Sequence, residues 1–366
     1  MRKLIFNLLV AIYSISLLCL INLKKLEPLE AEEVKIISIA GLFGLTGLAD
    51  SWGIAESRAF QIAVEDFMKQ NPNFRVKSEI QDSSFSYSAA TSAFHSLTSV
   101  KKFPVIIGPT WEIFAPIIPL CERLKIICLS QSYRGNEFKN GKLEYAFSGW
   151  FDDADYARTL AAEIKKQKLN KIAVFSAISP YYETLVKSFE ESFHPFIPIV
   201  IYKFPLEELD FKSAILKTPR EIDGIFFLLD EKGQIINFLK QWISMRADRP
   251  PLFTDDLILY AEPKITPSHF GFKRTFISKP SIDEKKFRFL NEKYTARYAT
   301  KLNIPSAPVV YDLTMIALNC LKDSEKQVDI RDCIRSVNNY NGLSGEFSFN
   351  GGNAAIGRQI VVEKFE

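Results

Sequence analysis

The sequence predicts an α/β fold of two lobes, each a doubly wound parallel sheet with helices on both faces. Short apolar runs typical of buried strands alternate with stretches of helical apolar spacing between residues 34 and 278. At 366 residues the chain is also too long for one ordinary hydrophobic core. The alternation restarts near residue 171, which divides it into two units of similar size. Such strand–helix repeats indicate parallel sheets.

The first unit contains short apolar runs of the kind found in strands that are buried on both faces. The predicted strands are Val34–Ala40, Val76–Ile80, Val105–Ile107, Ile126–Leu129 and Tyr145–Ser148. Apolar residues at helical spacing predict the helices Ile54–Phe67, Tyr87–Ser99, Ala115–Leu124 and Ala154–Lys168. A glycine-rich loop, Gly41–Gly53, joins the first strand to the first helix, and Gly108-Pro109 ends the third strand.

The second unit repeats the pattern without detectable sequence similarity to the first. Its predicted strands are Lys171–Phe175, Ile197–Tyr202, Gly224–Leu229, Pro251–Phe253 and Phe272–Ser278. The predicted helices are Tyr182–Phe193, Phe211–Lys217 and Gln234–Arg246, followed by Ile282–Thr300, Ala307–Leu321 and Ile330–Val337. Two closing strands, Gly345–Phe349 and Gln359–Phe365, are expected to pair as a β-ribbon around the turn at Gly351-Gly352.

This order of elements predicts the domain organisation. An N-terminal lobe would combine residues 32–148 with 279–340, and a C-terminal lobe would combine 149–278 with 341–366. The chain would therefore cross a hinge between the lobes more than once. A ligand cleft between the lobes is the natural consequence.

The first 31 residues differ from the rest in composition. A positive start at Met1-Arg2-Lys3 precedes the apolar run Leu4–Leu23, which Lys24-Lys25 closes. This pattern predicts an export signal or a membrane anchor. Leu29-Glu30-Ala31 is only a tolerable cleavage site, and Leu18 before Cys19 fits lipoprotein processing poorly, so cleavage and anchoring both stay open. In either case the remaining chain is expected outside the cytoplasm.

Composition and spacing exclude several function classes. The net charge of +3 and the lack of a long basic run argue against a nucleic-acid surface. Gly135–Lys142 resembles a phosphate-binding loop but has one residue too many between its glycines. No histidine lies near a candidate serine or cysteine nucleophile, and no carboxylate cluster has metal spacing. We therefore expect neither catalytic residues nor a metal or cofactor.

The cysteines outside the leader form two close pairs. In an oxidising compartment, a Cys320–Cys333 disulfide could link two consecutive helices. Cys121 and Cys128 are instead expected to be buried small apolar residues.

Polar side chains follow the ends of several predicted strands. Thr110–Glu112 follow the third strand of the first unit, and Ser130–Ser132 follow the fourth. In the second unit, Asp230 and Thr254–Asp256 stand at equivalent places. Ligands of open parallel sheets bind at the carboxyl ends of the strands. These residues therefore mark the candidate ligand site.

Three stretches carry a resemblance to a known family: Gly41–Gly53 with Ala63–Phe67, then Ile106–Pro109 with Ala115 and Pro119, and finally Ala307–Leu313 with Gly342–Phe349 and Gly357-Arg358. In this order they are similar to the extracytoplasmic solute-binding proteins of the type I periplasmic-binding-protein fold, in particular the branched-chain amino-acid (Leu/Ile/Val) group of ABC importers. The resemblance covers the whole chain after the leader.

The resemblance and the strand-end rule together imply one set of ligand-binding residues: Trp52, Trp111, Glu112, Ser130, Ser132, Tyr181, Asp230 and Asp256. Glu112 stands where relatives often place a serine that grips the α-carboxylate of the ligand. Two carboxylates would repel each other in a cleft of low dielectric constant. Either Glu112 points away, or the ligand is not a plain α-amino acid. The aromatic and acidic residues suit a cationic or amphipathic ligand.

The resemblance implies a monomeric, non-enzymatic binding protein that closes around a small molecule and docks on an ABC-transporter permease. A membrane-anchored ligand sensor of the same fold is the alternative. A secreted hydrolase is a remote third hypothesis, since the sequence offers no nucleophile–base pair.

Overall fold

The computed structural model describes residues 1–3, 13, 34–139, 141–196, 198–261, 264 and 266–365. The predicted leader, including the apolar run Leu4–Leu23 and Cys19, therefore lies outside the described residues except for 1–3 and 13. Within the described ranges, no helix has both the length and the apolar character needed to cross a membrane.

The strands and helices are as follows in chain order. The strands are β1 Lys35–Phe43, β2 Phe74–Asp82, β3 Val105–Ile107, β4 Ile127–Ser130, β5 Ala146–Ser148, β6 Ile172–Ala177, β7 Val200–Phe204, β8 Gly224–Leu228, β9 Leu252–Asp255, β10 Thr275–Pro280, β11 Tyr340–Gly342, β12 Gly345–Phe347 and β13 Ile360–Phe365. The α-helices are α1 Asp50–Gln70, α2 Tyr87–His95, α3 Ile118–Leu124, α4 Asp153–Lys166, α5 Pro180–Phe193, α6 Lys212–Lys217, α7 Gln234–Met245, α8 Glu284–Tyr298, α9 Ser306–Asp323 and α10 Gln327–Ser336.

The strands form two large sheets, which confirms the predicted fold class. The first sheet has the order β2-β1-β3-β4-β5, and all its neighbours are parallel. The second has the order β13-β10-β9-β8-β6-β7, in which only β13 runs antiparallel to its neighbour. Parallel strands connected by helices are the pattern that the alternating sequence predicts.

Successive residues of the third strand show why both faces of the first sheet are covered. Val105 and Ile107 pack into one hydrophobic cluster together with residues of α1 and α9. Ile106, between them, packs into a second cluster with residues of α2 and α3. Since side chains alternate along a strand, an uninterrupted apolar run is buried on both sides of the sheet. The apolar runs in the sequence therefore reflect burial between two helical layers.

The chain passes between the two sheets three times. It leaves the first sheet after β5, returns after β10 to add α8, α9 and α10, and goes back to the second sheet with β13. α9 packs on α1, where the hydroxyl of Tyr311 donates to the carboxylate of Asp66 at 2.9 Å. The exact lobe boundaries given above stay a prediction.

The predicted loop Gly41–Gly53 was too long at both ends. Gly41 is paired within β1, and Gly53 lies inside α1. Gly53 is needed there because the helix lies very close to the preceding loop: a Cβ atom on Gly53 would lie 2.1 Å from the carbonyl oxygen of Gly44. Glycine signals close packing at this position instead of a break in the helix.

The predicted C-terminal ribbon was wrong in its pairing. β12 pairs with β11 in a hairpin, and β13 pairs with β10 at the edge of the second sheet. The hairpin turn is held by the buried carboxylate of Asp312, which accepts the backbone N–H groups of Leu343 at 2.8 Å and Ser344 at 2.7 Å. That long-range anchor could not be seen in the local sequence.

The described part of the chain contains two disulfides. Cys320 in α9 and Cys333 in α10 are joined, with their Cα atoms 5.7 Å apart. Cys121 in α3 and Cys128 in β4 are also joined, with a Cα–Cα distance of 6.3 Å. The expectation that the second pair would be simple apolar core residues was therefore wrong. Both cysteines are indeed fully buried, but α3 packs so that Cys121 lies directly beside Cys128 in the following strand.

Candidate ligand-binding site

A cavity of about 40 Å³ lies between the carboxyl ends of the two sheets. Most of its wall is aromatic, and the lining residues are Leu48, Trp52, Phe85, Trp111, Ser132, Tyr133, Trp150, Tyr156, Ser179, Tyr181, Tyr182, Leu206, Asp230, Asp256 and Leu257. Almost every parallel strand contributes at least one residue from the segment that follows it, as expected for a parallel α/β fold.

Aromatic rings from α1 and from loops of the first sheet form one side of the cavity. Trp111 lies edge-on to Trp52, with ring centroids 5.2 Å apart, and to Phe85, at 5.7 Å. Trp52 also contacts Tyr260, which follows β9 of the second sheet, at 5.1 Å. The buried indole N–H of Trp52 has no hydrogen-bond partner within the described part of the chain. A ligand that offers an acceptor could satisfy this donor.

The backbone around Trp111 is held in an unusual conformation. Its φ angle of 52° lies in the left-handed region, and its N–H donates to the hydroxyl of Ser132 at 2.9 Å. The preceding Gly108 has a φ angle of 104°, and a Cβ atom there would lie 2.0 Å from the carbonyl oxygen of Leu42. The turn after β3 therefore brings the indole to the cavity at the cost of local strain.

The two predicted serines have different places. Ser132 lines the cavity. Ser130 is fully buried outside the lining, and its hydroxyl accepts the backbone N–H of Tyr133 at 3.0 Å. Ser130 thus shapes the loop after β4, and the structure gives it no contact with the cavity.

Carboxyl groups form the opposite, second-sheet side. Asp230 follows β8 and Asp256 follows β9, and both are buried at the cavity wall. Behind them, Asp255 accepts the Tyr181 hydroxyl at 3.1 Å and is fully buried. Both carboxylate oxygens of the buried Glu231 are without a hydrogen-bond partner among the described residues. Four acidic side chains therefore crowd the ends of two neighbouring strands.

Burial dominates the electrostatics of this acidic group. It raises the pKa of Asp255 to about 7. It also raises the pKa of Asp256 well above its usual range, and the charge of Asp255 adds to the effect. The described residues that line the cavity include no lysine or arginine to offset these charges. A cationic ligand would supply the missing counter-charge.

One ion pair joins the two sides at the edge of the cleft. The ammonium of Lys232, in the loop after β8, lies 2.6 Å from the carboxylate of Asp50 at the start of α1. The same ammonium donates to the carbonyl oxygen of Gly47 at 3.3 Å. Lys232 thus bonds to the first unit's glycine-rich loop and holds the cleft edges together.

The structure brings six of the predicted residues together around the cavity: Trp52, Trp111, Ser132, Tyr181, Asp230 and Asp256. Glu112 lies in a short 3-10 helix, Trp111–Phe114, but its side chain is outside the described part of the structure. The described residues contain no group of three or more His, Cys, Asp or Glu that could hold a metal ion.

Several lining residues were missed by the sequence analysis. Phe85, Trp150, Ser179, Leu206 and Leu257 each follow a parallel strand, so the strand-end rule could have found them. The remaining ones include Tyr156 and Tyr182, which reach the cavity from the helices α4 and α5. Their positions looked like ordinary buried faces of helices, and no sequence signal separates the two cases.

A family model of periplasmic binding proteins matches residues 36–363. The chain belongs to the periplasmic binding protein family. Members of this family are extracytoplasmic substrate-binding proteins that bind small ligands and work with ABC-transporter permeases. They are not enzymes, which removes the secreted hydrolase from the hypotheses.

Solved structures agree on the fold. The branched-chain amino-acid substrate-binding protein LivJ of Streptococcus pneumoniae, in complex with isoleucine, is 18% identical, with a TM-score of 0.76 over 90% of this chain and 100% of its own. The leucine-binding protein LivK of Thermotoga maritima is 18% identical, with a TM-score of 0.75 over 90% of this chain and 95% of its own. A solute-binding protein of Rhodopseudomonas palustris, in complex with benzoate, is 13% identical, with a TM-score of 0.76 over 90% of this chain and 93% of its own. A search of curated proteins finds no match.

The buried Asp255 predicts a specific pH dependence of stability. Because its pKa is raised from 3.8 to about 7 in the folded state, the native protein binds this proton more tightly than the unfolded chain does. The stability that it contributes is therefore lost as the pH rises from about 4 to about 7. Between pH 5 and pH 8, the free energy of unfolding of Asp255→Asn should rise by about 3 kcal/mol relative to that of wild type.

Urea unfolding at the two pH values measures this difference. Asp323→Asn, which changes an exposed carboxyl group at the end of α9, serves as the control and should follow wild type. A pH profile of Asp255→Asn that runs parallel to wild type would contradict the assignment.

Proposed function

We propose that this substrate-binding protein takes a compact amphipathic ligand, an amino acid or a derivative, whose amine lies against the acidic side of the cavity. The single observation that carries the proposal is the set of buried carboxyl groups without a basic residue in the cavity lining. The bound ligand is then delivered to an ABC-transporter permease.

The acidic side supports an amine on the ligand. Asp230 and Asp256 lose their hydration when the cleft closes, and a buried carboxylate is costly unless a positive group compensates it. The two lysines whose charges act on this acidic side are already paired, Lys232 with Asp50 and Lys279 with Glu363. An ammonium group on the ligand would stabilise the ionised carboxylates and the closed form together.

The rest of the cavity supports an apolar body with an acceptor at its other end. Rings such as Trp150, Tyr156 and Tyr182 can pack on an aliphatic or aromatic group and can also attract a cation by their π faces. On the first-sheet side, the indole N–H of Trp52 is free to donate a hydrogen bond to a carbonyl or carboxylate oxygen. An amino acid or amide derivative combines these features.

The mechanism is closure around the ligand. One side of the cavity belongs to loops of the first sheet and the other to loops of the second, so a ligand that contacts both favours the closed arrangement. The contacts of Trp52 with Tyr260 and of Asp50 with Lys232 join the two sides and would stabilise the closed arrangement. We expect the protein to act as a monomer, with the closed form recognised by the permease.

The same binding site would also serve a membrane-anchored ligand sensor. The apolar run Leu4–Leu23 is the feature that favours this second candidate. Sequencing the N-terminus of the exported protein separates the two: a processed terminus fits a released or lipidated transport protein, and an intact one fits an anchored receptor.

A thermal-shift screen of amino acids, polyamines, amides and aromatic acids tests the ligand class. We expect amines with an apolar body to raise the melting temperature, because they combine a counter-charge with packing on the aromatic wall. Aromatic acids without an amine, such as benzoate, should have no effect. Stabilisation by aromatic acids alone would contradict the proposal.

The role of Asp256 is tested with the best amine from that screen. Asp256→Asn should weaken its binding at least tenfold in calorimetric titration, because the counter-charge at the cavity wall is lost. Asp223→Asn is the matched control, since Asp223 precedes β8 at the opposite end of the strand that leads to Asp230. Equal affinities of the two variants would place the amine elsewhere.

The ion pair at the cleft edge gives a prediction for closure. Lys232→Ala and Asp50→Asn should each weaken binding of the same ligand by up to about fivefold, as expected for a partly exposed ion pair. In the double variant the two effects should not add. Lys171→Ala, which removes a lysine paired with Glu221 within the second unit, should leave affinity unchanged. Additive effects in the double variant would show that the pair does not act in closure.

A further inference from the structure

A fully buried glutamate lies directly behind the first-sheet side of the cavity. Glu56, in the second turn of α1, accepts three hydrogen bonds from uncharged side chains. Thr110 donates its hydroxyl at 2.6 Å and Gln131 its amide at 2.9 Å to one carboxylate oxygen. Ser306 donates its hydroxyl at 2.7 Å to the other oxygen.

These three donors come from different parts of the fold. Thr110 ends the turn after β3, directly before Trp111, and Gln131 lies in the loop after β4, directly before Ser132. Ser306 is the first residue of α9. The hydroxyl of Thr110 in turn accepts the backbone N–H of Gly44, in the loop after β1, at 3.1 Å. One carboxylate therefore connects three ligand-facing loops to two helices.

We infer that Glu56 is a positioning residue for the ligand site: its ionised carboxylate holds the loops that carry Trp111 and Ser132 in their binding geometry. A carboxylate suits this role because it can accept from all three donors at once, whereas a neutral side chain accepts fewer bonds. The charge-assisted bonds inside the protein are also stronger than neutral ones. The inference rests on the proposed function only in taking these loops as the ligand site.

Because Glu56 has no positively charged partner among the described residues, the arrangement of the loops that it holds is sensitive to pH. Burial raises the pKa of Glu56 to about 7, and the hydrogen bonds from Thr110, Ser306 and Gln131 partly offset that rise. The groups that α1, the two loops and α9 direct at Glu56 are all uncharged within the described chain. Protonation turns the carboxyl into a donor and removes an accepting position, so the loops should loosen below pH 7.

Neighbouring backbone amides give a ligand-free test. The Gly44 N–H depends on Glu56 through Thr110, and the Trp111 N–H donates to Ser132 in the loop that Gln131 anchors. The adjacent Leu45 N–H instead donates to Asp82 at 2.8 Å, outside this network. Amide hydrogen exchange, resolved by NMR on the full chain, can compare Gly44 with Leu45 one residue away.

In Glu56→Gln, we expect the protection factors of Gly44 and Trp111 to fall at least tenfold at pH 8, while Leu45 stays within about twofold of wild type. In wild type, the ratio of Gly44 to Leu45 protection should rise between pH 6 and pH 8 with a midpoint near 7, and Glu56→Gln should abolish this rise. Asp255→Asn, which changes the other buried carboxyl group with a pKa of about 7, should retain it.

A parallel loss of protection at all three amides would show general loosening and would overturn the inference, as would a flat wild-type ratio. The wild-type measurement needs no substitution, so the inference can be tested even where Glu56→Gln does not fold. No ligand is used either. A failed amine screen therefore refutes only the proposed ligand class, and an unchanged exchange ratio refutes only the role of Glu56.

Discussion

Buried carboxyl groups without basic partners are the constraint on which this structure depends. Asp255 and Asp256 lie behind and along one side of the cleft, and Glu56 lies behind the other. Removing such groups from water costs free energy, which the extensive apolar packing around both sheets must offset. Because these carboxyl groups lie at the ends of the strands, a positively charged ligand that binds there would reduce the free-energy cost of their burial.

The two sides of the cleft use their polar groups differently. On the first-sheet side, Glu56 is outside the cavity lining and accepts three side-chain hydrogen bonds, so it fixes the backbone of the loops. On the second-sheet side, Asp230 and Asp256 face the cavity. The first-sheet side thus presents mainly aromatic rings, and the second-sheet side adds buried carboxyl groups. This division suits a protein that must bind and then release its ligand.

The fold was largely predictable because the central strands are apolar runs buried between two helical layers, as Val105–Ile107 shows. Strand-end polarity likewise found Ser132 and Asp256. The hairpin held by Asp312 and the Cys121–Cys128 disulfide were not predictable, since each depends on tertiary contacts that no local pattern shows. Glu56 was missed for a similar reason: a glutamate within a helix is usually exposed, and only the fold brings three donors to it.

Proton release on binding tests the central claim most directly. An ammonium placed against buried carboxyl groups with raised pKa values, such as those of Asp255 and Asp256, lowers these pKa values and expels protons. Calorimetric titration of the best amine at pH 6.5, in two buffers of different ionisation enthalpy, counts them. The account predicts a net release of protons that falls in Asp256→Asn. Binding heats that are the same in both buffers, or a net uptake of protons, would contradict it.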